Sequence, residues 1–395
     1  MLLSIALIAL TALALGLLFQ KIRIPAIVAM ILTGVLYGPA MLNLIDPTIL
    51  SLSSDLRKIA LVVILLRAGM SLRTSDFKKI GKPAIWMSFL PATVEIIIVA
   101  LLGHWLFELP WISSFLLGSV VAAVSLAVVV PAMIQLIEQK RGTEKSIPQL
   151  LLGAVAIDNV FVLVVFSMLL DFSTSGSASW FALVQLPISI LLGAAIGAFA
   201  GYVSVWVFRK LHLRDTVKTI VLISIALLFV ELEKILQPFL PFSSLMATIS
   251  MGIVIKVLYP VLSERLSLKF SKLWVGAEIM LFVLVGAIVN LNSISNVFWM
   301  ALLILLVGAL FHGITVVISL HGSSFTNKEK VFSAFAYLPK ATMQAAVGAI
   351  PLEAGVPGGE IILSVALIAI LLSAPTGALL TDLFSQRWLK TESIH

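Results

Sequence analysis

The chain has 395 residues, 61% of them hydrophobic and only 11% charged, where a soluble domain carries about 25% charged residues. That shortfall excludes a self-contained soluble domain and requires much of the surface to face lipid. The formal charge of +7 lies in short loops between apolar runs, a topology signal rather than a nucleic-acid patch, and the lack of cysteine excludes disulfides, thiol catalysis and thiolate metal sites.

Apolar runs of about 20 residues, enough to cross a hydrocarbon core of about 30 Å, recur along the whole length. In chain order they predict 13 helices, over 2–19, 23–42, 55–72, 83–106, 112–137, 147–171, 180–208, 216–235, 243–259, 271–291, 296–320, 330–350 and 358–384. The first has no basic residue before it and no small-residue cleavage site after it, so it reads as a retained helix rather than a signal peptide. Basic residues follow every odd-numbered helix: Lys21 and Arg23; Arg73, Lys78, Lys79 and Lys82; Lys140, Arg141 and Lys145; Arg209, Lys210, Arg214 and Lys218; Arg265, Lys269 and Lys272; Lys328 and Lys330; Arg387 and Lys390. The intervening loops are acidic or neutral, and only the eighth is mixed, with Lys234 between Glu231 and Glu233. The positive-inside rule then places the N-terminus outside and the C-terminus inside.

Two of the predicted helices carry interruptions. The fifth contains Ser125, the β-branched run Val128–Val130 and Pro131; the twelfth contains Pro339, Lys340, Thr342, Gln344, Gly348 and Pro351. If residues 1–171 (helices 1–6) and 216–384 (helices 8–13) are two repeats joined by a linker helix at 180–208, each broken helix is the fifth of its repeat. The loop charges give the two opposite directions. Matching interruptions in oppositely directed halves point to an inverted-repeat transporter with its site at mid-membrane; chance placement of prolines is the competing reading. The expected fold is an all-α polytopic membrane protein, the whole chain forming one transporter unit.

Ionisable residues at membrane depth cost at least about 2.5–3.5 kcal/mol each, so each needs a reason. At about 1.5 Å per residue, Asp158 lies roughly 16 Å into helix 6 and Lys340 roughly 15 Å into helix 12 from the same side. An ion pair between them is the economical expectation, serving either transport or structure alone. Arg67 is close enough to a helix end to snorkel. Glu278 either pairs with Arg67 or lines a cytoplasmic funnel. Glu95, near the middle of helix 4, either borders an ion path or packs as a protonated carboxyl. His104 reads as interfacial and His312 as a packing histidine. No His/Asp/Glu cluster has metal-ligand spacing, no nucleophile stands beside a base and no Gly-rich loop signals a nucleotide, so neither an enzyme nor a cofactor is expected.

The stretch Ala156–Phe166 (AIDNVFVLVVF) resembles the paired-acid helix of the monovalent cation:proton antiporter superfamily. Tyr337–Glu353 (YLPKATMQAAVGAIPLE) closely resembles the lysine-bearing segment of the bacterial NHA-type sodium/proton antiporters, with supporting matches at Leu65–Leu72, Ala123–Met133 and Ala277–Ala287. The resemblance implies about 13 helices, an inverted repeat, two crossed broken helices, a mobile core and elevator-like alternating access in a homodimer of a prokaryotic inner membrane. It further implies an ion-binding carboxylate in helix 6 and a lysine paired with a neighbouring acid. Asp158 matches the first acid of the family pattern, but Asn159 stands where the second, ion-binding aspartate is usual, and Leu126 where a proline is common. Three accounts of Asn159 stay open: altered coupling, lost exchange, or an engineered substitution that traps one state.

With these residues, a cation (Na⁺ or Li⁺, or else K⁺) is expected to bind Asp158 and displace Lys340, which then gives up a proton. Asn159, Ser125 and Thr342 would complete the oxygen shell, and one cation for one proton is electroneutral. The competing functions are a sodium-coupled symporter of an organic solute and a non-transporting membrane sensor or channel.

Overall fold

The computed structural model describes all residues except 22–23, 72–73, 176–179, 212, 237–239, 241, 289–290 and 392–395. Arg23, Leu72 and Arg73, named above, lie outside the described residues, as do the side chains of Lys78, Lys79 and Lys82.

Among the described residues the chain is helical, with one isolated antiparallel bridge between Arg141 and Thr391. In order the helices are α1 (Leu2–Lys21), α2 (Ala26–Tyr37), α3 (Pro47–Ser51), α4 (Ser53–Ser71), α5 (Thr74–Phe107), α6 (Trp111–Ala122), α7 (Leu126–Glu138) and α8 (Ile147–Ser175). They continue as α9 (Trp180–Lys210), α10 (Asp215–Leu236), α11 (Ser244–Leu258), α12 (Pro260–Ala287), α13 (Leu291–Ser319), α14 (Asn327–Ala336), α15 (Thr342–Val347), α16 (Ile350–Glu353) and α17 (Gly359–Trp388). Among the described residues, eight spans of 20 to 30 residues are long and apolar enough to cross a membrane, and α2 and α11 are shorter apolar helices. Large apolar side chains such as Leu3, Trp105 and Trp299 are more than 70% exposed, a surface that suits lipid and would be a liability in water.

Every predicted segment overlies helix, and the differences have local causes. Helix α5 starts at Thr74 rather than at 83 and runs through Pro83 and Pro91, which membrane helices accommodate. Helix α12 starts at Pro260, so Arg265, Lys269 and Lys272 lie on a helix and not in a loop. Proline suits a first helical position, where its missing N–H is no loss. Hydropathy reports only the apolar part of such a helix. The two expected interruptions are present, at 123–125 between α6 and α7 and at 337–341 between α14 and α15.

The chain divides into two compact units. One comprises Met1–Leu50, Ser75–Gly176 and Phe282–His395, and the other Ser51–Thr74 and Ser177–Leu281. Within the first, Met133 and Leu136 of α7, Ile147 and Leu151 of α8, Phe332 of α14 and Tyr337 share a buried core beside the breaks. Within the second, α9 runs against α11 at close range: a Cβ on Gly197 would lie 2.1 Å from the Ala247 carbonyl oxygen. Lipid is as apolar as these side chains, so the pairing rests on close van der Waals fit, which only glycine permits there.

Candidate functional site

Pro339 accounts for the second break. A residue before proline disfavours the helical region; Leu338 is that residue, and α14 ends at Ala336 with Tyr337 as its cap. No proline or glycine lies in 123–125, and the first break is held by partners instead. Ser125 N–H donates to Pro339 O at 2.7 Å, tying the two breaks together. The Ser125 and Thr342 hydroxyls stand 3.5 Å apart.

A helix that stops inside a membrane leaves carbonyls at one end and amides at the other without intrahelical partners. Here side chains take them up. Gln344 Nε2 donates to Val120 O at 2.9 Å, Val121 O at 3.3 Å and Ala123 O at 2.8 Å. Lys340 Nζ donates to Ala122 O at 2.7 Å. Asn159 Nδ2 donates to Val124 O and to Val155 O, each at 2.8 Å. On the amide side, Val124 N–H donates to Asp158 Oδ2 at 3.1 Å. The dipoles agree with this arrangement: an ammonium sits at the carbonyl end of α6 and a carboxylate at the amide end of α7.

Lys340 does not form the expected ion pair with Asp158. Its Nζ lies 2.7 Å from Glu95 Oε2, and the same oxygen accepts from His312 Nδ1 at 2.6 Å. The reason is local: the ammonium and the carboxylate are bonded two residues apart on one break, at Ala122 and Val124, and Glu95 stands with the ammonium. Glu95, Asp158, Asn159, His312 and Lys340 are each at most 3% exposed. Glu95 thus carries the partnership expected of Asp158. His312, read from the sequence as a packing residue, packs its ring on Tyr337 at 5.7 Å between centroids and also bonds the same carboxylate.

Several buried polar atoms lack a hydrogen-bond partner among the described residues: Asp158 Oδ1, Asn159 Oδ1, Gln344 Oε1, His312 Nε2 and the Tyr337 hydroxyl. The first two belong to adjacent residues anchored on the N–H and the C=O of one residue, Val124. The Ser125 and Thr342 hydroxyls lie on the adjoining breaks, so this stretch carries side-chain oxygens of the kind that a proton or a hard cation takes up. Sequence reasoning placed Gln344 in the interrupted helix but missed it as the residue that caps α6. A buried glutamine in an interrupted helix was the only hint.

The remaining candidates lie elsewhere. Arg67 and Glu278, on α4 and α12 of the second unit, are half-buried and near enough for their charges to act on each other, and the Trp274 side chain bonds Glu278. His104 closes α5, bonding Leu109 O at 2.7 Å and stacking on Trp111.

Residues 6–385 match the family described as "Sodium/hydrogen exchanger, transmembrane". The chain is 32% identical over 348 residues to the sodium/hydrogen exchanger 9B2 of Mus musculus, covering 86% of this chain and 63% of the mouse protein. With the exchanger 9B2 of Homo sapiens the identity is 31%, over 86% of this chain and 64% of the human protein. The chain therefore spans less of these relatives than they span of it. Its fold is similar to that of the sodium proton antiporter MjNhaP1 of Methanocaldococcus jannaschii, with a TM-score of 0.84, 20% identity and 97% of each chain covered.

Proposed function

The chain belongs to the sodium/hydrogen exchanger family, and from that premise we propose that it exchanges a monovalent cation for protons across a membrane, with Asp158 as the exchanging group. The observation that carries this reading is the state of the four central ionisable groups. Lys340 is matched by Glu95. Asp158 therefore keeps a charge of its own, and its Oδ1 has no hydrogen-bond partner among the described residues. A buried carboxylate in that condition is strongly driven to take up either a proton or a cation. The two occupants exclude each other, and mutual exclusion at one site is what an antiporter requires.

In this mechanism a cation bound by Asp158, with the Asn159 carbonyl oxygen and the hydroxyls of Ser125 and Thr342 as further ligands, leaves when a proton arrives on Asp158. The exchanging proton is carried by Asp158, in place of the release from Lys340 expected from the sequence. Asn159 contributes a neutral ligand where a second carboxylate is usual, so one cation exchanges for one proton. Na⁺ and Li⁺ suit these hard oxygens best, with K⁺ as a further candidate. Access alternates by an elevator-like movement of the unit that holds the breaks, in a homodimer. Thirteen crossings, with the N-terminus outside and the C-terminus inside, follow from the loop charges. Arg67 and Glu278 form the proposed lining of the cytoplasmic approach. A prokaryotic inner membrane rests on the bacterial likeness of the lysine segment, the curated relatives named above being mammalian.

The test is proton movement in proteoliposomes on addition of Na⁺, Li⁺ or K⁺, followed with a pH-sensitive dye against empty liposomes. Cation-dependent proton efflux from the wild-type protein, and its loss in Asp158→Asn, is the expected result. No efflux with any of the three cations, or efflux that survives Asp158→Asn, overturns the reading.

A further inference from the structure

Lys340 has two acids within its neighbourhood, and the structure pairs it with the one farther along the chain. Its ammonium is fixed at two points, Glu95 Oε2 at 2.7 Å and Ala122 O at 2.7 Å, and its backbone N–H donates to Ser373 Oγ at 2.9 Å. Glu95 is fixed in turn by His312 Nδ1 at 2.6 Å, and the His312 ring is held by its stack on Tyr337. Asp158 and Lys340 meanwhile anchor two residues apart on the same interrupted backbone. For a lysine freed from Glu95, Asp158 is the other acid anchored on this stretch.

We propose that Glu95, steadied by His312, is a positioning residue for exchange: it holds the Lys340 ammonium at the carbonyl end of α6 and off Asp158, so that no internal cation competes for the exchanging carboxylate. This rests on the assignment of exchange to Asp158. An ammonium on Asp158 acts as a tethered rival to Na⁺, present at a fixed and high effective concentration. An opposite charge within about 4–6 Å favours the ionised form of a carboxylate by one to three pKa units. The apparent Na⁺ affinity should fall by a comparable factor, about tenfold or more, once Lys340 is released.

Two measurements separate this role from a merely structural one. The first is the KM for Na⁺ in proteoliposomes at alkaline pH, where protons compete least, for the wild type, Glu95→Gln, Lys340→Gln and the double variant. Glu95→Gln should raise KM about tenfold or more with kcat changed less, and Lys340→Gln in that background should restore KM by removing the rival. A KM unchanged by Glu95→Gln, or a double variant no better than the single, overturns the proposal. Loss of all exchange in the wild type would instead overturn the function assigned to Asp158. The second measurement does not depend on transport. Melting temperatures of the four proteins in detergent without Na⁺ should form a non-additive cycle, each single change costing more than the pair. Additive losses show that Lys340 does not rest on Glu95, and overturn the proposal whatever the transport result.

Discussion

The Asn159 amide donates to Val124 O and Val155 O, both at 2.8 Å, and that bonding defines what a second carboxylate would do at this position. An aspartate there would set an oxygen against two carbonyl oxygens and leave Val124 O without its donor, at a cost of about 1–3 kcal/mol for a buried acceptor, while Val155 O keeps its helical partner. Asn159→Asp should therefore lower the melting temperature at neutral pH and recover part of the loss on acidification, as the new carboxyl takes a proton and donates again. A melting temperature that is unchanged at pH 7 would mean that the amide bonds are not what holds the break. Gln344 is the second residue of this kind. Its Nε2 serves Val120 O, Val121 O and Ala123 O, so Gln344→Leu, similar in volume, should cost about 1–3 kcal/mol through lost bonding alone. Thermal unfolding of the two variants in one detergent checks both.

At the scale of elements, α14 shows how a break is fixed at its outer end. Thr326 and Glu329 form a capping box: the Thr326 side chain accepts from Glu329 N–H at 3.4 Å, and the Glu329 carboxylate accepts from Thr326 N–H at 2.7 Å. The carboxylate also takes Lys145 at 2.8 Å from the loop before α8. Partial burial works against ionisation there, but the Lys145 and Thr326 bonds prevail and hold the Glu329 carboxyl below its ordinary value of 4.5. A lowered folded-state pKa contributes stability above the unfolded value and loses it as the pH falls through the folded one. The stability difference between wild type and Glu329→Gln should therefore be full at pH 7 and close as the pH is taken below 4.5; a difference constant with pH would remove the carboxylate from the account. In the second unit, Gly197→Val would drive a side chain into Ala247 O, and overpacking of this sort costs about 1–3 kcal/mol, read as a fall in melting temperature. Much of this scale was legible in the sequence. Pro339 and the polar run after it marked the second break and Ser125 the first, whereas Pro131 lies inside α7 and breaks nothing. The pairing of Lys340 was not legible, because a depth computed from residue count says nothing about which way a side chain points around the helix axis. Its partner Glu95 lies 245 residues away. The start of α12 was missed because a helix that leaves the apolar region keeps its backbone bonds while its composition turns charged.

For the whole molecule the sharpest consequence concerns charge. Lys340 is offset by Glu95 in the unit that holds the breaks, and Asp158 is the group that changes occupant. Asp158 with Na⁺ and Asp158 with a proton then have the same net charge, so a complete cycle moves one positive charge each way. The membrane potential has nothing to act on. This makes a decisive measurement possible, because one elementary charge carried across 100 mV is worth about 2.3 kcal/mol, roughly fiftyfold in an equilibrium constant. Sodium-driven proton flux should therefore be the same within error when a potential of that size is imposed with a K⁺ gradient and valinomycin. A flux that follows the potential would mean that a second proton travels with each cycle. Lys340 or the Glu95–His312 pair would then have to carry it, and the partnership at Glu95 would be a step of transport rather than the fixed support for one.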